Sequence, residues 1–476
     1  MATVTSDSAS EPRQATDTPA VYDPASFRPV TFYDAAARFR TGDDDPRRYL
    51  ERCLEVIAAR EPVVRAWVVM NEQGAREQAD ASGARWRSGQ PLSSIDGMPI
   101  GIKDLLETKD MPTEMGCAAF VGNFPKRDSA CVRALRDAGA VILGKLVTTE
   151  LGGTHPGPTT NPFDAHRTPG GSSSGSAAAI GAGMIPAALG TQVGGSVIRP
   201  ASYCGNWALK PTQGALNRGE RQGYSQSTVG VHTGSPIDMW QVAIEIAQRA
   251  GGDPGQPGLF GPMQAPEAVK PQRLVVMETA GWKNLDAATL EAFERVLTGL
   301  RVLGVTIIRR SDSLLVESFE RGIASMPAIN SDICAFENRW SFANIDEQHP
   351  GKLSARAMKV LARGRAMSID DYRQCLLERA EGRARLAAIA PLADALVSLS
   401  APGPAPMRDD AGPQPTGNAV FNHPSSTIGA PAVTVPLIGV SGMPVGVQIM
   451  GQPHADARVA GIARWLAANV APVSVG

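Results

Sequence analysis

Hydrophobic positions along the chain alternate between helical and strand spacing. Residues 44–60 place apolar side chains at the intervals of an amphipathic helix, whereas short apolar runs such as AWVVM (66–70) are typical of buried strands. Further strands are predicted at 98–103, 140–143, 187–190, 273–277, 305–309, 395–399, 432–436 and 443–450, and further helices at 71–88, 129–138, 174–184, 236–250, 286–302 and 456–469. Apolar strands interleaved with helices predict an α/β fold, in which a parallel or mixed sheet is covered by helices on both faces.

The N-terminal residues lack this periodicity. Residues 1–25 are mostly small and polar, without the basic and apolar regions of a signal peptide, so we predict a disordered tail there. We find no repeat or linker in the remainder. Residues 26–476 are therefore predicted to form one domain, with a mainly helical and more charged region at about 313–391.

Composition and charge exclude several classes of protein. The 476 residues include 46 basic and 47 acidic side chains and are 43% hydrophobic, which is ordinary for a globular protein and unlike a disordered one. A net charge of −1 argues against nucleic acid or an anionic membrane as the partner. The six cysteines are scattered without a C-x-x-C pair, so we expect reduced thiols and a cytoplasmic location.

One long segment carries no charge. No charged residue occurs between Arg167 and Arg199. Glycine, serine and proline interrupt the segment throughout, Pro186 among them, so it does not fit a membrane-spanning helix. We predict instead that it packs deep in the protein, with its backbone close to other backbone.

Three parts of the sequence carry the groups that a hydrolase needs. They are the apolar run MPIGIK ending at Lys103, the block GGSSSGS (170–176) and the block GTQVGGS (190–196). The two glycines before Ser196 allow a sharp turn that directs consecutive N–H groups at one point. The candidate oxyanion donors are the N–H groups of four residues: Val193, Gly194, Gly195 and Ser196.

Lys103 is the candidate general base. A lysine surrounded by apolar groups loses its proton more easily than one in water, and the neutral amine can then accept a proton. An isolated lysine at the end of a strand more often extends its ammonium group into solvent. The presence of two serine-containing glycine loops favours the catalytic interpretation.

These residues, in this order, resemble the amidase signature family. The resemblance runs from about residue 40 to the C-terminus and is densest at 138–153, 161–179, 190–212 and 444–451. It implies a mixed central sheet with helices on both faces, and a Ser–cis-Ser–Lys triad that forms an acyl-enzyme without metal or cofactor. By motif position, Ser196 is the nucleophile, Ser172 the bridging serine with a cis peptide bond to Gly171, Lys103 the base, and Ser173 an auxiliary serine.

The sequence departs from the family pattern near the nucleophile. Gln192 stands where the family usually has an acid, and Ile198 stands where it usually has an arginine. Both members of a charge pair are thus replaced together, which leaves no unpaired charge. Whether Arg199 replaces the lost cation is left open. Ser174 also stands at a usual glycine position.

The substrate pocket is expected outside these blocks. Candidate segments are 115–119, 151–155, 318–345 and the Pro/Gly-rich loop 402–418. Within the first two, the candidate substrate-binding residues are Cys117, Gly152, Gly153 and Thr154.

The first serine block also resembles a different kind of serine hydrolase site. Residues 171–175 fit a G-x-S-x-G nucleophile elbow, for which His232, His349, His423 or His454 could be the base. That motif requires a strand before it, and FDAHRTPG reads as a loop. We also find no His/Cys/Asp/Glu spacing typical of a metal site.

The sequence therefore predicts an amidohydrolase acting on a small linear carboxamide or a related C–N bond, such as an aryl amide, hydrazide, carbamate or urea. The alternative is an amidotransferase A-type subunit that releases ammonia for a partner complex. The expected partner is a small-molecule amide, with no nucleic acid and no membrane; a homodimer is left open.

Overall fold

The computed structural model describes residues 21–153, 155–219, 225–408, 412 and 414–476. Within them, twelve strands form one sheet. The strands are β1 Trp67–Met70, β2 Pro99–Lys103, β3 Val141–Leu146, β4 Ala187–Gln192, β5 Trp207–Lys210, β6 Thr228–Thr233, β7 Arg273–Val276, β8 Thr306–Ile308, β9 Ala395–Leu399, β10 Ala432–Val440, β11 Met443–Met450 and β12 Val473–Val475.

Fourteen α-helices occur in the described residues. They are α1 Tyr33–Thr41, α2 Pro46–Val64, α3 Glu72–Arg87, α4 Ala130–Asp137, α5 Ser174–Gly181, α6 Ile198–Tyr203, α7 Pro236–Ala250, α8 Ala287–Val302, α9 Leu314–Ile323, α10 Met326–Gln348, α11 Ala355–Ala366, α12 Ile369–Ile389, α13 His423–Ile428 and α14 Asp456–Asn469. Helices α9 to α12 fall inside the region 313–391 that was predicted to be helical.

The sheet is mixed, as predicted. Its strand order is β1-β3-β2-β4-β6-β5-β10-β11-β9-β7-β8, and β12 pairs with β10. Strand β2 runs parallel to both β3 and β4, whereas β4 runs antiparallel to β6. Since β2 and β4 are parallel neighbours, the segments that follow them emerge at the same edge of the sheet.

The uncharged segment packs deep in the protein, as the sequence predicts. Every residue of α5 is buried. A Cβ atom at Gly175 would lie 2.3 Å from the carbonyl oxygen of Ala66 and 2.5 Å from the nitrogen of Val147. The helix therefore requires glycine at this position, because backbone from two other segments occupies the space of a side chain. Within the described residues, no helix is long and apolar enough to cross a membrane.

The main differences from the predicted elements are short or polar segments. Helices α1, α6 and α13 and strands β5, β6 and β12 were not predicted. At the N-terminus, the predicted disordered tail 1–25 overlaps the described residues at 21–25. Tyr22 is only 3% exposed and its N–H donates to the carbonyl oxygen of Gly442 at 2.7 Å. Residues 1–20 lie outside the described residues.

Candidate active site

Lys103 is the last residue of β2, and its side chain is completely buried. Its amine nitrogen Nζ lies 2.7 Å from Oγ of Ser172 and 3.0 Å from Oγ of Ser173. The same nitrogen lies 2.9 Å from Oγ1 and 3.2 Å from the carbonyl oxygen of Thr191 in β4. The structure thus joins the lysine to the first serine loop, as the sequence predicts.

No carboxylate in the described residues offsets the burial of this lysine. Asp104, the next residue, pairs instead with Lys145 of β3 at 2.9 Å, and both side chains are buried. Consecutive residues of an extended chain point to opposite faces, so Asp104 is directed away from the Lys103 amine. Burial lowers the pKa of Lys103 well below its ordinary value. The amine is therefore suited to accept a proton.

The Ser172 loop contacts both Lys103 and the strand β4. The peptide bond between Gly171 and Ser172 is cis, as the family resemblance implies. The carbonyl oxygen of Ser172 accepts a hydrogen bond from the Thr149 N–H at 3.2 Å. The Ser173 hydroxyl donates to the Thr191 carbonyl oxygen and accepts from the Thr191 N–H, both at 3.2 Å. These contacts fix the loop beside the lysine.

The Ser196 loop follows β4 and is fixed by Gln192. The Oε1 atom of Gln192 accepts from the N–H groups of Val197 at 2.8 Å and Ile198 at 3.0 Å. Its Nε2 donates at 2.9 Å to Oγ of Ser426, whose hydroxyl donates at 2.6 Å to the Gly194 carbonyl oxygen. A neutral amide therefore caps the start of α6 at the position where the family usually has a charged acid.

The loop from Val193 to Ser196 borders a cavity of about 240 Å³. Within the described residues, no hydrogen bond occupies the N–H groups of Gly194, Gly195 or Ser196. The Ser173 N–H donates to the Ser196 carbonyl oxygen at 3.3 Å, which ties the two serine loops together. The cavity is lined further by Glu150, Gly152, Gly153, His155, Arg199, Asn330, Ser331, Cys334, Asn338, Phe342, Arg356, Ala357, Val360, Ala419 and His423.

The predicted substrate-binding residues divide into three groups. Gly152 and Gly153 line the cavity beside Ser196. Cys117 is not among the lining residues. It is 4% exposed and packs in an apolar cluster with Phe342, which does line the cavity, so its role in substrate binding stays a prediction. Thr154 lies outside the described residues.

Two groups at the site lie outside the three sequence blocks that carry the catalytic candidates. Asn330 of α10 donates through Nδ2 to the Val193 carbonyl oxygen at 2.9 Å, which holds the loop from the far side. His423 lines the cavity, and its Nδ1 has no partner within the described chain. The sequence placed Asn330 only within the candidate pocket segment 318–345 and named His423 only as a candidate base of the nucleophile elbow. Their positions beside the Ser196 loop come from the tertiary structure.

His232 does not support the nucleophile-elbow alternative. It is fully buried in β6, and neither ring nitrogen has a hydrogen-bond partner among the described residues. Burial, with a smaller contribution from Lys103, lowers the pKa of His232 to about 3. The ring is therefore neutral and makes no hydrogen bond to a serine. The described residues also contain no group of three or more His, Cys, Asp or Glu side chains that could hold a metal ion.

A family model described as Amidase matches residues 48–460. The chain belongs to the amidase family. This match confirms the resemblance to amidase signature enzymes and covers both serine loops, Lys103 and most of the sheet. As a member of the family, the protein is a hydrolase of C–N bonds.

Curated relatives are Glu-tRNA(Gln) amidotransferase A subunits. The subunit from Chloroflexus aggregans is 40% identical over 225 residues, covering 46% of this chain and 45% of its own length. The chain thus spans about half the length of this relative. The subunit from Myxococcus xanthus is 29% identical over 471 residues, covering 91% of this chain and 96% of its own length.

Solved amidase structures share the fold. A structure described as an amidase superposes with a TM-score of 0.81 at 27% identity, covering 93% of this chain and all of the other. The mixed sheet with helices on its faces is therefore the architecture of this amidase family.

Proposed function

We propose that this amidase cleaves the C–N bond of a small carboxamide through an acyl-enzyme on Ser196. The observation that carries the proposal is the buried Lys103 amine, 2.7 Å from the Ser172 hydroxyl and without a carboxylate partner in the described chain. A lysine in this state is a base rather than a charged structural group.

The proposed acylation step begins with a proton relay. The neutral Lys103 amine accepts the Ser172 proton while Ser172 accepts the proton of Ser196. The Ser196 Oγ attacks the carboxamide carbon and forms a tetrahedral adduct. The relay then returns a proton to the leaving nitrogen, which departs as ammonia or an amine. Water attacks the acyl-enzyme by the reverse path and releases a carboxylic acid.

The loop before α6 supplies the proposed oxyanion site. The N–H groups of Gly194, Gly195 and Ser196 have no hydrogen bonds within the described residues and border the cavity, so they are available to the developing negative charge. One such donor contributes roughly 3 kcal/mol to catalysis. Gln192, Ser426 and Asn330 hold the loop in position before substrate arrives.

The decisive experiment is a substrate panel with the purified chain. Amides, esters, carbamates and hydrazides of varied acyl and amine parts are incubated with the wild type and with Ser196→Ala, and products are identified by mass. Ser196→Ala is expected to lose both turnover and labelling by a fluorophosphonate. Labelling retained in that variant would exclude Ser196 as the nucleophile.

A second candidate function is the ammonia-releasing subunit of an amidotransferase. The names of the relatives from Chloroflexus aggregans and Myxococcus xanthus favour this alternative over a free-standing hydrolase. The acyl-enzyme chemistry is the same, but ammonia passes to a partner complex instead of solvent. Purification of the native protein distinguishes the two candidates. A free-standing hydrolase purifies as a single kind of chain and hydrolyses amides alone, whereas the amidotransferase subunit copurifies with partner subunits and requires them for activity.

Three further expectations accompany the proposal. The substrate is a small molecule, and the near-neutral net charge of −1 gives no support to direct binding of nucleic acid. We also expect a cytoplasmic location, since all six cysteines are free. A homodimer stays a prediction that sedimentation of the pure protein tests.

A further inference from the structure

Two polar side chains lie against Gly194 in the loop that precedes Ser196. Oδ1 of Asn330, in α10, lies 3.4 Å from the point that a Cβ atom of Gly194 would occupy, and Nε2 of His423, the first residue of α13, lies 3.3 Å from it. All four residues line the same cavity. The two side chains therefore approach the same part of the loop that carries the proposed oxyanion donors.

The amide of Asn330 is held in one orientation. Its Nδ2 donates to the Val193 carbonyl oxygen and to Oε1 of Gln226, both at 2.9 Å. A backbone carbonyl oxygen only accepts hydrogen bonds, so the contact with Val193 fixes which end of the amide is the nitrogen. The residue is 4% exposed, and Oδ1 accepts no hydrogen bond within the described residues. Asn330 thus presents an unused acceptor beside Gly194.

The imidazole of His423 makes no hydrogen bond within the described part of the chain. Its Nδ1 is buried without a partner, and Nε2 has no partner there either. The ring is neutral, because burial and, to a smaller extent, the Arg199 charge lower its pKa to about 3. A neutral imidazole has one N–H, and a buried N–H without an acceptor is tolerated less well than an unused acceptor. The proton therefore belongs on Nε2, which becomes a donor beside Gly194.

A structural role does not account for these two groups. Buried polar atoms without partners lower the stability of a fold, and an apolar ring at position 423 would pack without that loss. The loss is recovered when a ligand supplies the partners. An acceptor next to a donor is complementary to an amide group, whose N–H donates and whose carbonyl oxygen accepts. The cavity of about 240 Å³ restricts such a ligand to a small molecule.

We propose that Asn330 and His423 bind a second, uncleaved amide group of the substrate, so that this enzyme prefers small diamides to simple carboxamides. The inference rests on the proposed function, because it names the substrate class of that same site. The carbonyl oxygen of the reacting amide is bound by the N–H groups of the Ser196 loop, which leaves Asn330 and His423 for another group. Oδ1 of Asn330 accepts from the N–H of that second amide, and Nε2 of His423 donates to its carbonyl oxygen.

The test compares matched substrates on the wild type. Malonamide, succinamide and glutaramide are assayed against the keto-amides in which a methyl group replaces one NH₂, and against simple amides of the same chain length. Ammonia release gives kcat/KM, which is halved for diamides because they have two equivalent ends. The wild type is expected to prefer the diamide to the keto-amide by about 5- to 100-fold at the best length, because the methyl group leaves Oδ1 of Asn330 without a donor.

His423 is tested by substitution, because its ring makes no hydrogen bond that the described chain needs. His423→Phe keeps a ring of similar size and removes the donor. It is expected to lower kcat/KM for diamides mainly through KM and to leave simple amides nearly unchanged, whereas His423→Gln keeps part of the preference. The matched control is His349→Phe, since His349 contacts Phe120 and does not line the cavity. The control is expected to keep the wild-type preference.

Two results would overturn the inference in an active enzyme. One is a wild type that cleaves diamides and keto-amides equally well at every length, which tests Asn330 without disturbing the contact that holds Val193. The other is an equal loss on diamides and simple amides in His423→Phe, which indicates a structural role. Because the first comparison uses only the wild type, poor folding of a variant does not prevent a decision.

A binding measurement decides the case in which no amide is hydrolysed. 2-Pyrrolidinone presents an N–H and a carbonyl oxygen side by side, whereas N-methyl-2-pyrrolidinone lacks the N–H. Ligand-observed NMR is expected to show tighter binding of 2-pyrrolidinone by about 5-fold or more, and weaker binding of both lactams to His423→Phe. This selectivity without hydrolysis would refute the proposed function and leave the amide-binding site standing. Hydrolysis without a diamide preference would refute the amide-binding site alone, and absence of both activities would refute both.

Discussion

Replacing Lys103 by methionine tests the chemical centre of the site directly. The substitution keeps a long apolar side chain and removes only the amine that contacts Ser172, Ser173 and Thr191. Loss of a general base typically costs 10²- to 10⁴-fold in rate, or about 3 to 5 kcal/mol of activation free energy. We expect kcat/KM for carboxamide hydrolysis to fall by that amount.

The same substitution should leave the fold largely intact. Ser173 keeps its two hydrogen bonds to Thr191, whereas the hydroxyls of Ser172 and Thr191 each lose one partner. The two unpaired hydroxyls lower the stability of the variant. Part of that loss is offset, because folding of the variant no longer has to remove an amine from water. We expect a decrease of roughly 1 to 3 kcal/mol in the free energy of unfolding, measured by urea denaturation and circular dichroism.

Lys145→Met is the matched control for this experiment. Lys145 is equally buried on the adjacent strand, but it pairs with Asp104. Its removal leaves a buried carboxylate without a partner, which typically costs about 3 to 5 kcal/mol of stability. The folded fraction should remain active. A stable Lys103→Met protein with more than about a tenth of wild-type kcat/KM would refute the assignment of Lys103 as the base.

Three other outcomes are expected. Burial lowers the pKa of Lys103, and only its neutral form is a base, so kcat/KM should fall as the pH drops through that pKa. A kcat/KM that stays constant at acid pH would contradict this. Fluorophosphonate labelling should map to Ser196 by peptide mass spectrometry, and an adduct on Ser173 would exclude the proposed nucleophile. Gln192→Met should lower the free energy of unfolding, measured by urea denaturation, by about 2 to 5 kcal/mol. The reason is that two backbone N–H groups lose their acceptor and the Ser426 hydroxyl loses a donor. An unchanged urea midpoint would show that water replaces the amide.

Much of the fold could be predicted from local patterns. Strand β9 and helix α14 have the bounds that the sequence predicts, because strong apolar periodicity determines them. Helix α6 and strand β6 escaped prediction, since both lie in glycine- and serine-rich stretches whose conformation depends on surrounding backbone. Gly230 of β6 illustrates this dependence: a Cβ atom there would lie 2.8 Å from the Leu209 carbonyl oxygen.

The candidate site likewise contains residues that the sequence predicted and residues that only the structure located. The sequence blocks predicted Lys103, Ser172, Ser173 and the Ser196 loop, and the structure brings the lysine and the first serine loop into hydrogen-bond contact. The substrate-binding role of Cys117 stays a prediction, because its surroundings are set by packing with residues of α10 and α11 far along the chain. Asn330 lies within the predicted pocket segment 318–345, but the sequence did not single it out, since it reaches the Val193 carbonyl oxygen from a helix far along the chain.

By itself, the sequence determined most of the strands and helices, the family, and which residue types are available for catalysis. These properties depend on short-range periodicity and on blocks of neighbouring residues. Only the tertiary structure decided which charges have partners. Asp104 is adjacent to Lys103 in sequence yet neutralises Lys145, and Arg199 lies near the nucleophile without an acid in the described chain. Charge pairing and burial depend on distances across the sheet and its loops, and those distances arise only when the chain has folded.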